Sequence, residues 1–261
     1  MRTPLQSIDI ISIYTRQGQR ILLPEPLCQC TPDMYTALRG IARDLKQLGG
    51  ELVLSDLFRT YEMQLQAHLD YVTGKKPAYS PPPGGSLHEA GRAFDLSLED
   101  IRIPLKKFWE IAASWGVVPI ISQPKPSMEE AWHFERRGSH LLVYDYYKNG
   151  KANNFSPYRA MAISCILAIG VSVDDFAGQQ DAAYLQSCLI RLGAELGNID
   201  GQIGMRTRAA LEALGIGGNS LADWIIQAED RLQQLFPDEF SIRVESEERA
   251  IDYTTPTHID Q

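Results

Sequence analysis

The spacing of apolar residues predicts a mixture of short helices and strands over the first 150 residues. Met34, Leu38 and Leu45 share one face of a helix, and the glycine pair at 49–50 ends it. By the same reasoning, helices are expected over 32–48, 61–72, 104–115 and 139–148. Short apolar or alternating runs predict strands over 51–56, 93–98, 117–121 and 131–135. Between them, the stretch 74–85 contains three consecutive prolines and predicts a loop.

The order of these elements indicates the fold class. They do not repeat as strand–helix–strand units, so an α+β fold with an antiparallel sheet fits better than a doubly wound parallel sheet. In the second half of the chain, apolar residues recur at helical spacing over 182–192, 205–214 and 220–236. The polar stretch 151–157 is the best linker candidate, and a helix over about 158–170 is expected to join the two parts.

The predicted organisation has four parts. Residues 1–152 form the α+β domain, 153–171 a linker and connecting helix, 172–236 a small three-helix domain, and 237–261 an acidic flexible tail.

The distribution of charged side chains along the chain supports this division. Residues 1–150 carry 17 basic and 17 acidic side chains, and the rest of the chain carries 8 and 16, so the net charge of −8 lies entirely in the second half.

Composition excludes two classes of partner. An acidic protein has no electrostatic reason to hold nucleic acid or anionic lipid, so neither is expected. The longest uncharged apolar run, 160–173, has 14 residues, which is too short for a membrane span. The first 20 residues contain no apolar stretch of signal-peptide length. We therefore expect a protein made in the cytoplasm, without membrane insertion and without a visible export signal.

Two segments combine histidines with carboxylates. His88 precedes Asp95 by seven residues, and His133 stands in a second acidic segment. Two imidazoles and one carboxylate form the three-residue ligand set of catalytic zinc sites, which keep the fourth position open. Such spacing also arises by chance, and the alternative is a surface loop at 84–88 and a core strand at 132–134.

A hydrolytic zinc site also needs a carboxylate that does not bind the metal. That group takes a proton from the attacking water and passes it to the leaving amine. Glu130 precedes His133 by three residues and is the first candidate. Glu135 lies on the same face of the predicted strand as His133, so it is the alternative.

The two segments resemble the paired motifs of the zinc D-alanyl-D-alanine carboxypeptidases and dipeptidases, the VanY-like peptidases. The matching residues are Ser86-x-His88-x-x-Gly91-x-Ala93-x-Asp95 and Glu130-x-Trp132-His133. This group includes phage peptidoglycan endopeptidases and shares its fold with hedgehog signalling domains. The resemblance covers about 38–135 and implies one catalytic zinc ion held by His88, Asp95 and His133, with Glu130 as the general base.

The same resemblance implies residues that contact the substrate. Ser86 would hydrogen-bond the substrate, and Trp132 would line its binding site. An element that precedes the zinc motif in this family corresponds to 55–60, although its Ser-to-Arg spacing here is one residue longer. In this element Arg59 would stabilise the developing oxyanion or hold a substrate carboxylate.

The helical half has its own resemblance. It is similar to the three-helix peptidoglycan-binding domain found in many cell-wall hydrolases. The matching residues are Leu185-Gln186-x-x-Leu189-x-x-Leu192-Gly193 and Asp200-Gly201-x-x-Gly204-x-x-Thr207-x-x-Ala210-Leu211. From the residues alone, the leucines are core positions of a helical bundle, so a plain bundle packed on the catalytic domain is the alternative.

Together these resemblances imply a zinc-dependent hydrolase that cleaves the stem peptides of peptidoglycan. The tryptophan before the second histidine is similar to the carboxypeptidase branch, so removal of the terminal D-alanine is the leading prediction. One alternative is an endopeptidase that cleaves the L-Ala–D-Glu bond or a D,D cross-link. An alternative of another class is a non-catalytic, zinc-containing wall-binding module.

The last prediction concerns how the enzyme reaches its substrate. Peptidoglycan lies outside the cytoplasm, so an enzyme without an export signal needs non-classical delivery. Either a phage releases it as an endolysin, or a contractile secretion apparatus carries it as an antibacterial effector. In the second case the producer needs an immunity protein as a further partner.

Overall fold

The structure, a computed structural model, describes residues 2–242. Its strands are β1 Gln6–Ser7, β2 Ile11–Arg16, β3 Gln19–Leu22, β4 Gln29–Cys30, β5 Leu54–Asp56, β6 Ala93–Leu96, β7 Val118–Pro119 and β8 His133–Glu135. Its α-helices are α1 Pro32–Gln47, α2 Tyr61–Val72, α3 Leu105–Ser114, α4 Leu141–Lys148, α5 Pro157–Ala168, α6 Gln180–Arg191, α7 Met205–Ala213 and α8 Leu221–Leu235. Shorter 3₁₀ turns cover Leu87–Ala90, Gly138–His140, Asp174–Phe176 and Pro237–Glu239. Within residues 2–242, no helix has both the length and the apolar character that spanning a bilayer requires.

Six strands form one mixed sheet in the order β3-β2-β5-β6-β8-β7. β2 and β5 pair in parallel, and the other neighbouring strands pair antiparallel. The predicted α+β class is confirmed, whereas the expectation of a purely antiparallel sheet is wrong for the β2–β5 pair. The chain travels from β2 to β5 through β3, β4 and α1, and this crossover returns it in the same direction.

The amino-terminal segment contains a hairpin that the sequence reasoning did not predict. β2 and β3 are joined through Gln17 at φ 53° and Gly18 at φ 80°. Both angles lie in the left-handed region that the commonest two-residue hairpin turns require, and glycine adopts it without steric cost. The alternation of Ile11 and Ile13 before a Gln-Gly pair is the signal that would have predicted the hairpin.

Helix α1 covers the core beside the sheet. Pro32 occupies its first turn, where the missing N–H leaves no intrahelical hydrogen bond unmade. The apolar positions predicted for its buried face are buried, namely Met34, Leu38, Ile41 and Leu45. These side chains belong to one cluster with Phe94 of β6 and Phe134 of β8. The cluster therefore packs α1 against the adjacent strands β6 and β8.

A second apolar cluster joins the helical half to the first half. Its members include α5 residues such as Met161 and Ile166 together with Leu87, Ala90 and Ala93. α5 corresponds to the predicted connecting helix, and α6, α7 and α8 correspond to the three helices predicted after it. The two halves are thus connected by a buried helix and not by an exposed linker. The exact domain boundaries stay predictions.

Two residues near the end of the described part of the chain are buried. Glu239 is 3% exposed and Phe240 is 4% exposed. Glu239 accepts hydrogen bonds from the Ser139 hydroxyl at 2.9 Å and from Arg191 Nη2 at 2.8 Å. The first part of the predicted flexible tail is therefore anchored to the protein through these two residues, and residues 243–261 lie outside the described part of the chain.

Candidate metal centre

Local structure brings the three predicted ligands together. His88 lies in the 3₁₀ turn Leu87–Ala90, and the chain then reverses through Gly91 at φ 62° into β6, which carries Asp95. A Cβ atom at Gly91 would lie 2.8 Å from the Cα atom of Cys30, so only glycine fits this position. In the antiparallel pairing of β6 with β8, Asp95 stands directly opposite His133.

The ligand atoms converge on one point. Asp95 Oδ1 lies 2.8 Å from His133 Nδ1 and 3.4 Å from His88 Nε2, and the two ring nitrogens are 3.2 Å apart. Zinc bonds of about 2.1 Å in a tetrahedron place neighbouring ligand atoms about 3.4 Å apart. The three side chains are buried, with the residues between 2% and 9% exposed. This spacing and donor set fit a zinc ion with one position left open.

The remaining ring nitrogens are held by other groups. His88 Nδ1 donates a hydrogen bond to the carbonyl oxygen of Leu57 at 3.0 Å. Nε2 is therefore the unprotonated nitrogen, and its lone pair can bind a metal. His133 Nε2 faces the carboxylate oxygen Oε1 of Glu135 at 3.4 Å, which leaves Nδ1 for the metal. Metal-binding histidines commonly donate their second N–H to a carbonyl or carboxylate in this way.

Electrostatics favour a positive charge at this point. Burial opposes ionisation of Asp95, but the two histidines beside it hold its pKa well below the usual value. Burial would lower the pKa of His133, yet hydrogen bonds with Asp95 and Glu135 raise it to about 10. The carboxylates of Asp95 and Glu135 therefore favour a positive charge on His133, and a metal ion that binds there would displace this proton.

Glu130 lines the same cavity as the three ligands, and this cavity has a volume of about 960 Å³. Its backbone takes the left-handed conformation at φ 63°, which is uncommon for a residue other than glycine. Its carbonyl oxygen accepts a hydrogen bond from the His133 N–H at 3.0 Å, so a tight turn ties the two residues together. Burial raises the pKa of Glu130.

The alternative base, Glu135, has a different environment. It is fully buried and does not line the cavity. Arg137 Nε donates to its Oε2 atom at 2.8 Å, and the hydroxyl of Tyr158 donates to its Oε1 atom. Glu135 is therefore bound within the protein behind His133, whereas Glu130 faces the cavity.

Arg59 lies beside the metal centre with protein partners on its guanidinium. Its Nε donates to Asp56 Oδ2 at 2.5 Å, its Nη1 donates to Gln64 Oε1 at 3.2 Å, and its Nη2 lies 3.5 Å from Asp95 Oδ2. Its backbone N–H donates to the carbonyl oxygen of His88 at 3.1 Å. Arg59 also lines the cavity. Its predicted contact with an oxyanion or a substrate carboxylate stays a prediction.

The other predicted substrate contacts also line the cavity. Ser86 caps the turn that carries His88, because its hydroxyl accepts from the His88 N–H at 3.3 Å while the Glu89 carboxylate accepts from the Ser86 N–H at 3.2 Å. The carbonyl oxygen of Trp132 accepts from the Leu96 N–H at 3.1 Å, which fixes the start of β8. The substrate contacts predicted for Ser86 and Trp132 stay predictions.

Two walls of the cavity come from segments outside the two motifs. Ser156, Tyr158 and Arg159, at the start of α5, form one that the sequence did not predict. Lys76 and Tyr79, from the predicted loop over 74–85, form the other, and the Tyr79 N–H donates to the Glu129 carboxylate at 3.3 Å. The Ser-Pro pair at 156–157 is a signal for the start of a helix, but it does not indicate what that helix contacts.

Comparisons with known proteins concern the fold. No protein-family model and no curated protein matches the chain. Among solved structures, the LdcB LD-carboxypeptidase, described as revealing the molecular basis of peptidoglycan recognition, is 20% identical over 50% of this chain and 66% of its own, with a TM-score of 0.38. The L,D-carboxypeptidase DacB from Streptococcus pneumonia is 23% identical over 51% of this chain and 85% of its own, with a TM-score of 0.32. DacB from Streptococcus pneumoniae D39 is 23% identical over 54% of this chain and 96% of its own, with a TM-score of 0.35.

This chain therefore spans slightly less than two thirds of the LdcB chain, and the similarity extends over about half of its own length.

Proposed function

We propose that the protein is a zinc peptidase that hydrolyses peptidoglycan stem peptides and removes the terminal D-alanine as its leading reaction. The observation that carries the proposal is the convergence of His88 Nε2, Asp95 Oδ1 and His133 Nδ1 within 2.8–3.4 Å of one another. These atoms lie in a cavity that Glu130 also lines. A structural zinc site would normally be closed by a fourth protein ligand, whereas this site opens into the cavity.

The zinc ion and Glu130 would have different roles in the reaction. When bound, zinc would polarise the scissile carbonyl and lower the pKa of a water molecule. Glu130 takes one proton from the attacking water as its oxygen bonds to the carbonyl carbon. The same carboxyl group returns that proton to the amine nitrogen as the C–N bond breaks, so the products are a free acid and a free amine.

The choice of bond depends on how the cavity holds the substrate. A carboxypeptidase needs a cation for the terminal carboxylate of its substrate, and three cationic side chains line the cavity. Arg59 is bonded to Asp56 within the protein, and Arg159 Nη2 donates to a neighbouring aspartate at 2.7 Å. Lys76 forms no side-chain hydrogen bond or ion pair with another residue in 2–242, but its positive charge acts on Glu130 and opposes the rise in the pKa of that carboxyl group. Its ammonium group lines the cavity and can pair with a substrate carboxylate.

Replacing Lys76 by methionine is expected to raise KM about tenfold for a peptide that ends in a free carboxylate, because one charge-assisted contact is lost. The kcat value should change little at a pH where Glu130 is ionised, whereas the rise of kcat with pH should move to higher pH, because the Lys76 charge lowers the pKa of Glu130. The control is Lys75→Met, because Lys75 is exposed and pairs with Asp70 at 3.5 Å outside the cavity. An unchanged KM in the Lys76 variant would argue for endopeptidase cleavage.

The proposed function is tested with three substrates and one metal treatment. Pentapeptide, tetrapeptide and cross-linked muropeptides are incubated with the purified protein, and the products are identified by mass spectrometry. Loss of one alanine from the pentapeptide supports the leading reaction, whereas cleavage within the stem or at the cross-link supports an endopeptidase. A chelator should abolish every product and zinc should restore it. Zinc binding without any product would identify a non-catalytic wall-binding module.

The proposed function also requires that the enzyme reach the cell wall and bind it. We infer that the enzyme reaches the wall through phage lysis or a contractile secretion apparatus, and that 172–236 contributes to wall binding. The neighbouring genes distinguish the two routes, because a phage lysin is encoded near a membrane-pore protein and an effector near its immunity protein. Wall binding has to be measured with the full chain and not with a truncated protein, because α5 packs against both halves.

A further inference from the structure

We propose that Tyr158 of α5 is a positioning residue for the metal ligand His133, so that the helical half completes the metal centre. This inference rests on the proposed function in one respect, because it takes the bound ion to be zinc. It assigns a role in the site to a part of the chain that the sequence predicted only to connect domains and bind the wall.

Three groups form a chain of contacts. The hydroxyl of Tyr158 donates to Oε1 of Glu135, and this same oxygen faces Nε2 of His133 at 3.4 Å. The other ring nitrogen of His133, Nδ1, belongs to the cluster of ligand atoms. Arg137 Nε holds the second oxygen of Glu135 at 2.8 Å. The orientation of the Glu135 carboxylate, and through it that of the imidazole ring, is thus set by one contact on each oxygen.

The backbone at Tyr158 is fixed by its own helix. The Ser156 hydroxyl accepts from the Arg159 N–H at 3.4 Å as the helix cap, and Pro157 occupies the first turn. Further along, Met161 and Ile166 of α5 belong to the same apolar cluster as Leu87 of the turn that carries His88. One buried helix therefore contacts the segments that hold both histidine ligands. A rigid position of Tyr158 relative to the metal centre follows.

A carboxylate behind a ligating imidazole fixes the orientation of the ring and makes it a better ligand, and its loss typically lowers metal affinity 10- to 100-fold. Glu135 can serve His133 only while its Oε1 atom stays in place. Without the Tyr158 hydroxyl, one of the two contacts that orient Glu135 is lost. We therefore expect the weaker end of that range, about tenfold, when the hydroxyl alone is removed.

The test compares two tyrosine-to-phenylalanine variants. Tyr158→Phe removes the hydroxyl and keeps the ring. Tyr184→Phe is the matched control, because the Tyr184 hydroxyl also donates to a buried glutamate, Glu229, at 3.1 Å within the helical half. The zinc affinity of each full-length protein is measured by competition with a chromophoric chelator, and its folding is monitored by thermal unfolding without metal. Tyr158→Phe should bind zinc about tenfold more weakly than wild type, whereas Tyr184→Phe should bind it equally well.

A double variant shows whether Tyr158 acts through Glu135. Glu135→Gln alone should lower zinc affinity, and adding Tyr158→Phe should cause little further loss, because the two changes break the same chain of contacts. An unchanged affinity in Tyr158→Phe would overturn the inference, and so would an equal additional loss in the Glu135→Gln background. Since affinity is measured without peptide, these outcomes are independent of whether the protein hydrolyses peptidoglycan.

Discussion

Replacing Glu130 by glutamine is expected to lower the rate of peptide hydrolysis by about 10³-fold, because a positioned general base contributes that much to proton transfer. Glutamine has nearly the same shape, but its amide cannot accept the proton of the attacking water. Zinc should remain bound, because the ligand cluster consists of His88, Asp95 and His133. The loss should appear in kcat, since the interaction acts mainly in the transition state.

The adjacent residue supplies the control for this experiment. Glu129→Gln has the same change of charge one position earlier, on an exposed side chain that accepts a hydrogen bond from the loop at Tyr79. Its rate should stay within a few-fold of wild type. Product release by the Glu130 variant at a near-normal rate, with zinc bound, would contradict the assigned mechanism. An equal loss in both variants would indicate a general effect of charge near the site.

The second large effect concerns stability. Glu239→Ala should lower the free energy of unfolding by about 3–5 kcal/mol, the usual cost of removing one partner from a buried ion pair. Glu239 is 3% exposed, and the two arginines that approach it, Arg191 at 2.8 Å and Arg92 at 3.6 Å, are also buried. The substitution leaves their positive charge in the interior with less compensation. Denaturation by urea, followed by circular dichroism, measures the change.

An exposed ion pair provides the comparison. Glu195 lies 2.5 Å from Lys151, with side-chain exposures of 69% and 43%. Solvent screens such a pair, so Glu195→Ala should change the free energy of unfolding very little. A loss of similar size in both variants would mean that the Glu239 cluster adds nothing beyond a surface contact. A large loss only in Glu239→Ala would identify 237–240 as part of the folded core.

The approach of His88 to Asp95 could be predicted because it depends on short-range geometry, whereas His133, 38 positions after Asp95, was predicted from the resemblance to a paired motif. The residues between His88 and Asp95 form one turn and the start of one strand, so a motif of fixed spacing describes them. The helices were predictable for a related reason, since the spacing of apolar residues reveals which face of a helix is buried. That spacing does not reveal which element covers the buried face.

The features that escaped prediction depend on contacts between distant parts of the chain. The parallel pairing of β2 with β5 follows from the path of the intervening segment, not from the pattern within either strand. Tyr158 reaches Glu135 across 23 positions of sequence, and Glu239 reaches Ser139 across 100. Nothing in the residues around Tyr158 or Glu239 indicates these partners, because each is an ordinary polar residue near the end of a helix.

The second apolar cluster also has a consequence for the evolution of this protein. Leu87, Ala90 and Ala93 lie next to the candidate metal ligands in sequence, yet they pack against helices of the other half. A recombination event that moved only 1–152 into another gene would leave these side chains facing water beside the candidate site. Domain shuffling works best with modules that carry complete cores. The two halves should therefore be inherited and exchanged as one piece.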